Sequence, residues 1–228
     1  MPPVSIGLVE SHQEPELKLS FDPRTIEHLG FKMYSRLPNA VAELVANSYD
    51  ADATHVDVVV DTSGTQSVLV KDDGHGMSPA DLADKYLRIG RNRRVDDSGF
   101  SESRRRRVAG RKGLGKLALF GIGNRITIRT KRLGAPAWTI VTMNWDDLQR
   151  ATGGDYFPDQ SSQTADDPEA PGTEIRVHDL KRKTPVDVQE LAVSLSQLFN
   201  YVDEDFSVVV SALDANPIQV TRDLRYGS

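Results

Sequence analysis

The sequence predicts an α/β domain: a mixed β-sheet with helices packed on one of its faces. Three observations carry that prediction. Apolar runs with strand period and apolar runs with helix period alternate along the chain, but irregularly, not as βαβ repeats. Long polar loops are held between them. No segment repeats another. With 228 residues, the chain is long enough for one sizeable core, or for a domain and part of a second.

Taken in order, residues 1–20 read as an extended N-terminal arm, containing Pro, Glu and Ser with weak periodicity. Leu37, Val41, Leu44, Val45 and Ser48 fall on one side of a helix that runs to Tyr49. HVDVVVD from His55 and SVLVKD from Ser67 are neighbouring strands joined by a turn-like TSGT. Ser78, Pro79 and Asp81 start a helix that runs to about Leu87, with an N-cap, a proline in the first turn and an acid near the N-terminus. Residues 90–112 are polar and crowded with arginine, as expected of a long surface loop. GLGKLALFGIG then opens a helix. RITIRTK and AWTIVTMNW are strands, residues 150–171 a mobile polar insertion, and TEIRVHDL a strand. VDVQELAVSLSQLFN is an amphipathic helix and FSVVVSAL a last strand.

Composition narrows the setting. The formal net charge of -5 carries no global sign of nucleic-acid binding, and the absence of cysteine excludes disulfides and thiolate metal sites. The N-terminus lacks a basic region followed by an apolar stretch, and no apolar run approaches membrane-spanning length. The expected location is cytoplasmic, with no membrane contact.

Three constellations stand out. Glu43, Asn47 and Asp50, spaced i, i+4, i+7, share one helix face opposite Val41 and Val45. Such a set is ordinarily a solvated face, but no lysine or arginine accompanies it to form the usual surface pairs. Its chemistry suits a carboxylate that takes a proton from water and an amide oxygen that ligates Mg²⁺. The second constellation, Lys71 to Met77, follows a strand and precedes a capped helix. It is either a common Asp-Gly turn or a ligand turn, with glycines allowing close approach and Asp72 accepting from an exocyclic amine. The third, Gly110 to Lys116, opens a helix and presents backbone N–H groups to phosphate. It fits G-x-x-x-x-G-K, but Leu117 stands where a P-loop needs Ser or Thr, and an arginine-rich stretch precedes it instead of a strand. Gly121 and Gly123 do not complete a dinucleotide pattern, because Ile126 occupies the last glycine position.

Order and spacing together are more specific than any one motif. ELVANSYDADAT followed by a strand resembles the N-box of the GHKL ATPases, in wording nearest the MutL and large heat-shock-chaperone branch. DDGHGM resembles the second motif of that family, GRKGLGK the third, and PGTEIRVHDL the last. The resemblance covers about Leu37 to Leu180. It implies a Bergerat-type two-layer α/β sandwich, with a mixed, mainly antiparallel sheet and helices on one face, binding ATP with Mg²⁺. Carried over by position, it implies Glu43 as general base, Asn47 as Mg²⁺ ligand and Asp50 as a helper on the ribose and phosphate side. Asp72 would hold the adenine amine with Thr173 bridging through water, and Gly74, Gly76 and Met77 would line the base. Gly110, Gly113, Leu114, Gly115 and Lys116 would cap the phosphates, within an ATP lid of about 90–115. The third motif departs from the MutL wording toward that of MORC-like and chaperone-like ATPases. A histidine kinase is disfavoured, since no upstream helix carries a phosphoacceptor histidine.

The resemblance divides the chain into the arm, an ATP-binding domain over 21–205, and 206–228 as a last strand or the start of a truncated transducer domain. It implies ATP hydrolysis, slow in an excised domain, with lid closure driving homodimerisation. Arg104, Arg105, Arg106 and Arg107 read as a solvated loop or as contacts to phosphates, a dimer partner or DNA. A DNA-associated role, MORC-like or in repair or defence, is expected first. A chaperone-like action on protein clients and a non-hydrolysing nucleotide sensor are the alternatives.

Overall fold

The computed structural model describes residues 19–20, 36–87, 100–103, 106–107, 119–151, 155–199, 205–212 and 215–226. The strands are β1 (Leu19–Ser20), β2 (His55–Asp61), β3 (Ser67–Asp72), β4 (Gly123–Lys131), β5 (Ala137–Asn144), β6 (Asp155–Tyr156), β7 (Asp159–Thr164), β8 (Gly172–Leu180), β9 (Ser207–Ala212) and β10 (Ala215–Gln219). The α-helices are α1 (Leu37–Asp50), α2 (Pro79–Asp81), α3 (Trp145–Arg150) and α4 (Val188–Leu198). An eight-stranded sheet has the order β10-β9-β2-β3-β8-β4-β5-β7. The β2–β9 pair is parallel and every other pair in it antiparallel. The mixed, mainly antiparallel α/β sandwich expected from the sequence is the observed fold.

Alternation places the core. Val56, Val58 and Val60 of β2, Val68 and Val70 of β3, Ile126 and Ile128 of β4, and Ile175 and Val177 of β8 are all buried. They join one cluster with Leu37, Ala40, Val41, Leu44 and Val45 of α1 and Leu191, Ala192 and Leu195 of α4. Each Val, Leu or Ile side chain so buried contributes about 1.5–3 kcal/mol. Tyr49, Phe199 and Phe206 close one end of that layer: Tyr49 meets both phenyl rings edge to face and the two phenyls are tilted, with centroids 5.3 to 6.0 Å apart.

Three local expectations change. The helix expected from Pro79 to about Leu87 starts with a capping box between Ser78 and Asp81, then widens into a π-helix over Leu82–Tyr86. Its i to i+5 bond from Leu87 N–H to Leu82 O lets both leucines be fully buried. Trp145, expected in a strand, begins α3, where its ring packs against Phe120. The insertion expected to be mobile over 150–171 contains β7, which pairs along β5 as the sheet's edge. Every β7 residue is exposed, so its polar composition, DQSSQT, is that of an edge strand facing water on both sides. Behind it, buried Lys131 donates to the carbonyls of Asp167 (2.9 Å) and Pro168 (2.8 Å) and pins the following turn.

The C-terminal segment belongs to the same sheet. β9 lies between β2 and β10, and β10 turns back along it as the other edge. A 3₁₀ turn over Asp223–Tyr226 follows, from which the Arg225 guanidinium donates to the carbonyls of Ser196 and Phe199 at the end of α4.

Candidate functional site

Three strands carry a polar residue at one end of their buried phase: Asp72 after Val68 and Val70, Thr130 after Ile126 and Ile128, Thr173 before Ile175 and Val177. Sheet register brings the three together. Asp72 pairs with Thr173 across β3 and β8, and Thr173 with Thr130 across β8 and β4. At the end of the sheet that is otherwise an aliphatic wall stands a row of carboxylate, hydroxyl and hydroxyl.

Asp72 is the charged, half-buried member of this row. Its Oδ2 accepts from the Ser48 hydroxyl of α1 at 2.8 Å and its Oδ1 from Gly74 N–H at 3.0 Å. Burial pushes its carboxyl up to about 6, against the lowering effect of those bonds. The Ser48 bond ties α1, the helix that carries Glu43, Asn47 and Asp50, directly to Asp72. Sequence reasoning grouped Ser48 with the apolar face and missed this link. A hydroxyl on an otherwise aliphatic helix stripe was the available signal. Thr130 was also missed. It is fully buried, accepts from Met77 N–H at 2.9 Å, donates to Gly172 O at 3.1 Å and lies 3.0 Å from the Thr173 hydroxyl.

The turn glycines serve close approach, but to protein backbone. At Gly76, with φ +64°, a Cβ would lie 1.9 Å from Lys131 O; at Gly74 it would lie 2.7 Å from Ala51 O. The neighbouring Asp73 is structural. Its carboxylate takes the N–H groups of Thr54 and His55 at 2.7 and 2.8 Å and the Thr54 hydroxyl. Burial opposes its charge, but these donors outweigh burial and hold the carboxyl below its ordinary range. The loop after α1 is thereby fastened to the turn after β3.

Glu43, Asn47 and Asp50 are partly exposed on the face of α1 away from its buried stripe. Among the described residues no group of three or more His, Cys, Asp or Glu is arranged to hold a metal ion. An amide oxygen with carboxylates on one helix face suits a hard cation that takes its remaining ligands from phosphate and water.

The described part of the predicted lid is docked on the site's rim. Ser103 donates to Asp52 through its N–H (2.8 Å) and hydroxyl (2.7 Å). Glu102 accepts from Arg132, which also reaches Asp81 at 3.1 Å, and His75 Nε2 lies 3.7 Å from Glu102. The Arg132 bond holds the Glu102 carboxyl below its ordinary range. Arg106 is not a freely solvated loop residue. Its guanidinium donates to the carbonyls of Tyr49 (3.3 Å), Ala53 (2.6 Å) and Asp205 (3.0 Å) and lies 4.5 Å above the Tyr49 ring. This arginine is built into the fold, where it meets carbonyls of the α1 C-terminus and the loop beyond it. Arg107 sits over Phe100 at 5.8 Å. Arg104, Arg105, Gly110, Gly113, Leu114, Gly115 and Lys116 lie outside the described residues.

Residues 34–179 match the family model described as "Histidine kinase-, DNA gyrase B-, and HSP90-like ATPase", and the chain belongs to that family. Among its relatives is the "Putative type II restriction enzyme HgiDII" of Herpetosiphon aurantiacus, 32% identical over 204 residues, which are 87% of this chain and 32% of that protein. The DNA mismatch repair protein MutL of Rhodopseudomonas palustris (strain HaA2) is 31% identical over 68% of this chain and 23% of its own length. MutL of Paramagnetospirillum magneticum is 30% identical over 75% of this chain and 25% of its own. The chain thus spans about a third or less of the relatives it matches. No helix among the described residues is long and apolar enough to cross a membrane.

Proposed function

We propose that this domain binds ATP with its adenine against Asp72 and Thr173, and hydrolyses it with Glu43 as general base. The observation that carries the reading is the half-buried, ionisable Asp72 in register with Thr173 and tied by Ser48 to the helix bearing Glu43 and Asn47. Ser48 and Gly74 each fill one position on this carboxylate, and an exocyclic amine would add a donor at one of its remaining lone pairs. Glu43 takes a proton from water as that water attacks the terminal phosphorus, and the anhydride bond to the departing diphosphate breaks. Asn47 would hold Mg²⁺, with Asp50 on the same face; bound there, the ion neutralises phosphate charge. Gly110, Gly113, Leu114, Gly115 and Lys116 cap the phosphates, and Gly74, Gly76 and Met77 border the base.

Lid closure over ATP and dimerisation through this domain form the second tier of the proposal, as a population shift driven by contacts to the γ-phosphate. The relatives in mismatch repair and restriction favour a DNA-associated role for the whole protein over a chaperone-like one. The test is calorimetric titration with a non-hydrolysable ATP analogue, with and without Mg²⁺, alongside Glu43→Ala turnover. Saturable Mg²⁺-dependent binding and a Glu43→Ala variant that binds ATP but does not turn it over are expected. Turnover equal to wild type removes Glu43 from the role of base; absence of binding at millimolar nucleotide removes the ATP reading.

A further inference from the structure

The hydroxyl of Thr130 has three neighbours and capacity for three bonds. Gly172 O, at 3.1 Å, can only accept; Met77 N–H, at 2.9 Å, can only donate; the third neighbour is the Thr173 hydroxyl at 3.0 Å. A hydroxyl owns one proton and two lone pairs. With its proton on Gly172 O and one lone pair filled by Met77 N–H, Thr130 has only a lone pair left for Thr173. The proton of that contact therefore comes from Thr173. Thr130 is wholly enclosed and Thr173 nearly so, which denies either hydroxyl a water partner behind the row.

The outward consequence falls on the base site. A Thr173 oxygen that has given its proton to Thr130 shows the ligand lone pairs alone. Its cross-strand neighbour Asp72, already accepting from Ser48 and Gly74, shows only lone pairs when ionised. The wall then contains acceptors and no donor. A 6-amino purine meets it with N–H groups; a 6-oxo purine brings a carbonyl against it. If Thr130 lacked its hydroxyl, the Thr173 proton would be free to turn toward the ligand and receive that carbonyl.

We propose that Thr130 is a positioning residue of the nucleotide site: it draws the Thr173 proton away from the ligand, and so sharpens selection of a 6-amino over a 6-oxo purine. The proposal rests on the reading that Asp72 and Thr173 face the base. It adds a residue that touches no ligand and acts through Thr173.

The experiment measures affinities of the 228-residue chain for ATP and inosine triphosphate, in wild type, Thr130→Val and Thr130→Ser. Wild type is expected to prefer ATP. Thr130→Val should shrink that preference about tenfold, the size of one misdirected hydrogen bond, and Thr130→Ser should keep it. A purely structural Thr130 would lower the melting temperature and both affinities together, leaving the ratio intact; an unchanged ratio in folded Thr130→Val overturns the proposal. Equal wild-type affinities overturn it while leaving the ATP reading in place, whereas no ATP binding by wild type overturns both. Should Thr130→Val not fold, hydroxyl-proton NMR of the wild type decides. A Thr173 hydroxyl proton protected from exchange and close to Thr130 supports the proposal, and a Thr130 proton directed at Thr173 sinks it.

Discussion

The base end of the site and its rim are both held by polar contacts, but of opposite kinds. At the base end, a half-buried carboxylate and a set of hydroxyls and backbone groups, Thr130 and Thr173 fully enclosed or nearly so, make no ion pair among their bonds. At the rim, Asp52, Ser103, Glu102, Arg132 and Asp81 form a charged network partly open to water, with Glu102 and Ser103 its exposed members. Burial makes each base-end contact specific and expensive to leave unmade. Exposure makes each rim contact individually weak and screened by salt. The proposed base site is thus lined by groups whose bonds are costly to leave unmade, and residues 100–103 are seated by groups that exchange partners cheaply.

The largest break in this contrast is Asp72→Asn. The amide can be accommodated, because Ser48 also lies 3.2 Å from Leu44 O and can donate there while accepting from the new NH₂. An NH₂ facing the adenine amine, however, should weaken ATP binding by about a thousandfold, roughly 4 kcal/mol. The same substitution should stabilise the ligand-free fold at pH 7 by about 1–2 kcal/mol, since it removes a half-buried charge. The sign follows from linkage. The folded-state pKa is raised from 3.8 to about 6, so the group's contribution to stability is complete below pH ~4 and is lost as pH rises through about 6. Nucleotide affinity should run the other way, falling as pH drops below about 6. Denaturant melts and titrations at pH 5 and 7.5 measure both; a pH-independent affinity would place Asp72 outside the base site.

Next in size, Gly76→Ala should destabilise the domain by about 3 kcal/mol, through positive φ and a Cβ driven into the Lys131 carbonyl. A melting temperature equal to wild type would mean that the turn has room the geometry denies it. Arg106→Ala comes third. Three carbonyls lose a charged donor and Tyr49 loses a stacked cation, for an expected loss of about 2 kcal/mol. Arg106→Lys should recover little, since an ammonium cannot reproduce the planar fork. Smallest is Glu102→Gln at the rim, expected to change stability by less than about 1 kcal/mol, and less still at high salt. A salt-insensitive loss above 2 kcal/mol there would dissolve the distinction between rim and base.

Much of this was legible in the linear order of residues. The α1 stripe of Leu37, Val41, Leu44, Val45 and Ser48 and the strands at His55 and Ser67 appear as expected from periodicity. Periodicity was silent where both faces of an element are wet. β7 has no apolar phase, so a sheet edge looked like a mobile insertion. It was also silent on what a charged side chain does once buried. Arg106 sits in a run of four arginines, and nothing in the run distinguishes the one that caps backbone carbonyls beneath two aromatic rings.

Local chemistry by itself determined the strands that have an apolar phase, the amphipathic helices and the identity of the motif residues, because side-chain period and turn chemistry depend only on near neighbours. It also determined that Val68, Val70 and Asp72 share one face of a strand, as do Ile126, Ile128 and Thr130, and Thr173, Ile175 and Val177. Only the tertiary structure decided that the three polar members lie side by side, and that Ser48 reaches Asp72 from a helix 24 residues away. Register is set by the packing of whole strands against α1 and α4. A shift of two residues would preserve every buried face while scattering Asp72, Thr173 and Thr130 along the sheet.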